Sequence, residues 1–274
     1  AGLKPNGNND LGFIYTKEAC TVAAIFTENR FQAAPLKHFL AYEEGFKTNF
    51  VLINSKNANA LTGRKGIEDI NTLFSKLNFD LINPVMSSTG VIGNRLPIEK
   101  LVTGALKFDL TAKSGENLSR AIMTTDAYPK TCLYEVKLED GSSFKIGAVA
   151  KGAGMINPNL ATMLCFICTD ADIPYKDIKE ALNKNKETTF NAISVDGDTS
   201  TNDTVMVLAN GKSNAYNKDA FCEALRLVMH DMAMLMVADG EGAKKVAAFE
   251  VRNAATKEDA IKAAKALSNS LLDK

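Results

Sequence analysis

Seven apolar runs rich in branched residues recur along the chain: TVAAIF (21–26), FVLIN (50–54), FKIGAVA (144–150), TMLCFICT (162–169), AISVD (192–196), TVMVLA (204–209) and KVAAFEV (245–251). Most end in Gly, Asn or Asp, which favour turns, so each predicts a strand. Between them the apolar spacing changes to three and four. From Asn217 to Ala238, Phe221, Leu225, Val228, Met232, Leu235 and Met236 share one helical face, a core seam rather than a cofactor box. A later helix starts at Thr256, with Asp259 three residues on as a near capping box. Shorter helices are expected over IEDINTLFSKL (67–77), PIEKLVTGAL (97–106), ENLSRAIM (116–123) and YKDIKEALNKNKE (175–187). Strands and helices mixed without strict alternation predict α/β or α+β layers.

Composition narrows the function classes. The 274 residues are 46% hydrophobic and 23% charged, enough for a sizeable core. Lys+Arg and Asp+Glu are both 32, and without a basic run no nucleic-acid partner is expected. The longest apolar stretches fall well short of the roughly 18 residues of a spanning helix, and the N-terminus has no basic-then-apolar leader pattern, so the expected compartment is the cytoplasm. Five cysteines at irregular spacing are expected to be reduced thiols.

Several patterns that resemble chemistry have plainer explanations. Cys165 and Cys168 form CxxC, but on a strand their Cα atoms lie roughly 10 Å apart on opposite faces, beyond the reach of a disulfide. His38, expected in a loop, and His230, on the 217–238 helix, have no serine or cysteine elbow beside them. KGAG (151–154) and DGEG (239–242) complete no nucleotide motif and read as tight turns. SVDGDTSTNDT (194–204) suggests a hydrogen-bonded network or a cation site, but its DxD lacks a distant carboxylate, a weak metal signal, and no metal is expected. That stretch reads as a hydrogen-bonded turn.

Other polar stretches at strand ends are not required by a core. MSSTGVIG (86–93) sets Ser88 and Thr89 beside Gly90, able to present a hydroxyl and a backbone N–H to one oxyanion. KGAGMINPNLATML (151–164) puts Lys151 eleven residues before Thr162, with Gly152, Gly154 and Pro158 forcing a non-helical path between them. TTDAYPK (124–130) and Glu241 in DGEGAKK complete the set.

In order along nearly the whole chain, AGLK, DLGFIY, AAIFTENRFQAAPL, NSKNANALTG, SSTGVIGNRLP, AIMTTDAYPK, AKGAGMINPNLATML, SVDGDTSTNDT and DGEGAKK resemble the bifunctional ornithine acetyltransferase, or glutamate N-acetyltransferase, family of arginine biosynthesis. The resemblance implies self-cleavage between Ala161 and Thr162, which would make Thr162 an N-terminal nucleophile. It implies ping-pong transfer of acetyl from N2-acetylornithine to glutamate, with Thr89 and Gly90 as the oxyanion hole and Thr124, Lys151, Thr162 and Glu241 contacting substrate. No cofactor is implied, although some members also accept acetyl-CoA. The implied fold is a layered helix–sheet–sheet–helix α/β arrangement related to the DmpA-like superfamily. It would be divided into an α part (1–161) and a β part (162–274) that stay associated as an α2β2 tetramer. Lys56, Leu61 and Asn157 depart from residues common in the family, and the chain stops where relatives continue into a further C-terminal segment. Two other readings stay open: a truncated, non-catalytic homologue, and an N-terminal-nucleophile amidase or aminopeptidase that hands the acyl group to water.

Overall fold

A computed structural model describes residues 1–157 and 163–270. Among these residues, seven strands, β1 (Leu11–Phe26), β2 (Lys47–Asn54), β3 (Val85–Ser88), β4 (Lys130–Lys137), β5 (Ser143–Lys151), β6 (Leu164–Thr169) and β7 (Thr204–Ala209), join in the order β3-β2-β1-β7-β6-β5-β4. The β2–β3 and β6–β7 pairs are parallel and the others antiparallel. The helices are α1 (Ala34–Leu40), α2 (Gly63–Ser75), α3 (Ile98–Ala105), α4 (Gly115–Ile122), α5 (Tyr175–Lys186), α6 (Lys218–Ala238) and α7 (Lys257–Asn269).

Hydrogen bonding therefore gives one sheet where the family resemblance implies two, and β1 accounts for the difference. Its pairing with β2 changes register between Tyr15 and Cys20, and an irregularity of this kind bends a strand. Both ends of β1 return to the same end of the molecule. Ser55 N–H donates to the Asp10 carbonyl at 3.0 Å, and Thr27 N–H donates to that of Asp203 at 3.1 Å. Ile14, Val51, Ile53 and Val85 from one limb share a buried cluster with Val22, Ala24, Leu164, Phe166, Met206 and Leu208 from the other. On the outer faces, Phe50, Leu52 and Met86 pack with α2 and α3, and Ile25, Cys165, Ile167, Val205 and Val207 pack with α5 and α6. The continuous sheet is thus folded on itself between helical layers. Phe50, Phe144 and Phe166 are fully buried; truncating any one to alanine costs about 3–5 kcal/mol.

α6 follows its apolar seam, and the Asn217 side chain caps it by accepting from Ala220 N–H. α7 starts at Thr256 as its capping pattern requires, yet none of its residues is buried. Two expected strands are absent. AISVD holds the end of a 3-10 turn (Phe190–Ala192) and a loop, where Val195 N–H donates to the Ile156 carbonyl and the Asp196 carboxylate accepts backbone N–H groups instead of joining a ladder. KVAAFEV is largely exposed and irregular, with no partner strand among the described residues. His38 lies on α1 rather than in a loop. It is buried with Nε2 3.2 Å from Asn71 Oδ1, and burial lowers its pKa. Cys165 is buried, Cys168 is exposed, and all five thiols are free. No helix among the described residues is long and apolar enough to cross a membrane.

The proposed α and β parts are not separate units in space. β6 and β7, which follow residue 161, lie between β5 and β1, which precede it. Their ladders run along Ile146–Lys151 against β6 and Thr21–Phe26 against β7. A break at residues 161–162 would leave both ladders in place.

Candidate functional site

The polar ends of β2, β3, β5, β6 and β7 gather where the two limbs of the sheet meet. At the end of β3, Ser88 Oγ donates to Asn54 Oδ1 at 2.6 Å, and Thr89 N–H donates to the Asn54 carbonyl at 3.0 Å. Among the described residues, no hydrogen bond is made by the Thr89 hydroxyl or the Gly90 N–H of this turn. Gly90 has φ +134°, and a Cβ there would come within 2.2 Å of the Lys56 carbonyl carbon. Only glycine fits this close backbone approach.

β5 and β6 form a hairpin whose first registered pair is Lys151 with Leu164. Leu164 follows Thr162 by two positions in the sequence. The Lys151 side chain is buried, and burial pushes its ammonium pKa below the usual lysine range, against the opposing pull of Asp126, Asp203 and Glu241. Ala161 and Thr162 lie outside the described residues.

Asp126 organises the floor of the site. Its carboxylate accepts from Thr124 N–H at 3.0 Å, Gly152 N–H at 2.7 Å and Lys130 Nζ at 2.8 Å. Lys130 also donates to Asp239 Oδ2 at 2.5 Å, and Asp239 accepts from Ala127 N–H at 3.0 Å. One fully buried ammonium thus joins the TTDAYPK turn to the C-terminal end of α6. Burial opposes ionisation of Asp126, but Lys151, Lys130 and the N–H of Thr124 outweigh it and hold the carboxyl below its usual range. Asp203 behaves in the opposite way. It accepts Met163 N–H at 3.0 Å, and burial raises its pKa well above the usual carboxylate range.

The two glycine-rich turns form one contact. Glu241 N–H donates to the Ala153 carbonyl at 2.7 Å. The Glu241 carboxylate lies over Gly154, where a Cβ would come within 2.6 Å of Oε1. Glu241 is exposed while Lys151 is buried, so the carboxylate sits at the rim and the ammonium within.

The whole sequence aligns with one family: the ArgJ family model covers residues 1–274. The chain belongs to the ArgJ family. It is 57% identical over 277 residues to the arginine biosynthesis bifunctional protein ArgJ of Wolinella succinogenes, covering all of this chain and 70% of the relative. It is 40% identical over 276 residues to a glutamate N-acetyltransferase of Methanothermobacter thermautotrophicus, covering 98% of this chain and 68% of the relative. Among solved structures, ArgJ from Bacillus halodurans superposes with a TM-score of 0.52 at 33% identity, covering 60% of this chain and 86% of that one.

Within this ArgJ-family chain, sequence reading singled out Thr89, Gly90, Thr124, Lys151 and Glu241 but passed over Asp126, Lys130, Asp203 and Asp239 as individual site residues. Asp126 and Lys130 lie inside the quoted TTDAYPK, Asp203 inside SVDGDTSTNDT and Asp239 at the head of DGEGAKK. The available signal was the clustering of charge at element ends. The pairings span 109 residues for Lys130 with Asp239 and 40 for Asp203 with Met163, and no local pattern encodes them.

Proposed function

We propose that this protein is a self-processing acetyltransferase that moves an acetyl group from N2-acetylornithine to glutamate through an ester on Thr162. The observation that carries the reading is the convergence at one strand end: Lys151 opposite Leu164, Asp126 and Glu241 around Lys151, and the Thr89–Gly90 turn on the facing limb of the sheet. Family membership and the relatives' names supply the reaction class.

Processing begins when Thr162 Oγ bonds to the carbonyl carbon of Ala161. The Ala161–Thr162 C–N bond breaks, and the hydroxyl proton ends on the departing nitrogen. Water then splits the ester, leaving a carboxylate on Ala161 and a free amine and hydroxyl on Thr162. That amine, with an ordinary pKa of about 7.7–8.0, is the base an internal threonine lacks. In turnover, Thr162 Oγ attacks the acetyl carbonyl of N2-acetylornithine, and the oxyanion takes hydrogen bonds from the Thr89 hydroxyl and Gly90 N–H. Ornithine leaves as the amine, and the amine of glutamate then takes the acetyl group from the ester. Losing one oxyanion donor costs about 2.7–4 kcal/mol of transition-state stabilisation. The Glu241 carboxylate at the rim suits a substrate ammonium, and Lys151 and the Thr124 turn line the interior.

No cofactor enters this scheme, and acetyl-CoA is a second candidate donor. The reading includes association of the two parts as α2β2, which sedimentation of the processed protein tests. The functional test supplies labelled N2-acetylornithine and glutamate. Labelled N-acetylglutamate supports transfer, whereas free acetate alone supports an amidase. Thr162→Ala is expected to be uncut and inactive; a cut, active Thr162→Ala protein would overturn the scheme.

A further inference from the structure

The acidic stretch 194–204 has no part in the scheme above, yet it bonds to both flanks of the cleavage segment. On the N-terminal side, Met155 and Ile156 donate their N–H groups to the Asp196 carboxylate, the second at 2.9 Å. Asn157 Nδ2 donates to the Gly197 carbonyl at 2.6 Å, and Val195 N–H donates to the Ile156 carbonyl at 2.7 Å. On the C-terminal side, Met163 N–H donates to Asp203 Oδ1 and Thr204 N–H donates to the Met163 carbonyl, both at 3.0 Å. Asp203 is fully buried, and its Oδ2 has no hydrogen-bond partner among the described residues. Its neighbour Asn202 donates through Nδ2 to the Ser88 carbonyl at 2.9 Å and the Ala58 carbonyl at 2.7 Å, holding the turn that carries Thr89 and Gly90.

We propose that residues 195–203 clamp the cleavage segment, with Asp196 and Asp203 as positioning residues. Asp196 holds the chain entering the scissile bond. Asp203 holds the peptide directly after Thr162, and Asn202 fixes the oxyanion turn against it. The inference rests on the reading of Thr162 as nucleophile and adds how its register is set. An acyl shift needs Oγ within about 3–3.5 Å of the carbonyl carbon, and a misplacement of about 1 Å can cost about 100-fold in rate. A segment tied at one end could relax out of that geometry, whereas one tied at both ends is held to it. The same bonds would keep the new ends in place after the cut, because Asp203 grips the β part while Asp196 grips the tail of the α part.

The test compares the wild-type protein with Asp203→Ala, Asp203→Asn and Asp196→Ala. Intact mass gives the cleavage rate, and steady-state kinetics of the cleaved fraction give kcat and KM separately. Asp203→Ala is expected to slow cleavage and to lower kcat by about tenfold or more with little change in KM. Asp203→Asn, which keeps an acceptor for Met163 N–H, should restore both to within about threefold. Asp196→Ala should slow cleavage by about tenfold or more. Asp196 is exposed, so that variant decides the question from the other flank even where Asp203→Ala does not fold. Wild-type cleavage in Asp196→Ala, a loss in Asp203→Ala confined to KM, or an Asn variant as impaired as Ala would each overturn the clamp. A wild-type chain that neither cleaves nor transfers would overturn the nucleophile reading instead.

Discussion

Asp126 and Asp203 are two deeply buried carboxyl groups in one site, and their environments move them in opposite directions. Asp126 accepts two backbone N–H groups and the Lys130 ammonium, and lies close to Lys151. Asp203 accepts the Met163 N–H through Oδ1 and leaves Oδ2 without a hydrogen-bond partner among the described residues. Burial pushes both pKa values up; neighbouring cations and donors reverse the shift only at Asp126. The first belongs to an ion-pair hub, and the second is a buried acceptor for the Met163 N–H. Depth alone therefore does not assign a role to a carboxyl group.

Removing the cation should break the comparison most strongly. Lys130→Met leaves Asp126 and Asp239 without their shared ammonium, and a buried pair that loses one partner costs about 3–5 kcal/mol. The denaturant midpoint should fall accordingly; an unchanged midpoint would mean that the hub does not stabilise the fold.

Asp126→Asn should be smaller, about 1–3 kcal/mol at neutral pH, and the pH dependence sharpens the contrast. A lowered carboxyl pKa stabilises the fold above the unfolded value of about 3.9, and that stability is lost as pH falls through the folded pKa. The penalty of Asp126→Asn should therefore shrink in acid. For Asp203 the folded pKa is raised, so its contribution is full below about 3.9 and is lost as pH rises through the folded pKa. Asp203→Asn should gain stability relative to wild type as pH rises. Chemical denaturation of both variants across pH checks the opposite signs.

The mildest change is Gly154→Ala, whose methyl meets the Glu241 carboxylate. A flexible side chain can move aside, so stability should change by less than about 1 kcal/mol. If Glu241 binds a substrate ammonium as proposed, KM for that substrate should rise; an unchanged KM would count against that role.

The same contrast between local and distant partners explains what the sequence revealed. FVLIN and TVMVLA were legible because both faces of their strands are buried, which leaves continuous apolar runs. KTCLYEVK in β4 is hard to read because it is an edge strand in which, after buried Lys130, exposed and half-buried residues alternate. AISVD and KVAAFEV have strand composition but no ladder to join. α1 is only seven residues long, and no side chain caps its start, so no periodicity announced it. At the site, Thr89, Gly90, Lys151 and Glu241 were assigned roles through the family resemblance. The Asp126–Lys130 pair is local, but its link to Asp239 joins segments 109 residues apart, which local spacing does not reveal.

The most direct test of the central claim is mass spectrometry of the protein mixed with N2-acetylornithine and quenched in acid. The account predicts two fragments, with one acetyl group on the fragment that begins Thr-Met-Leu-Cys. A single uncut chain of 274 residues, or an acetyl group on any residue other than Thr162, would contradict it.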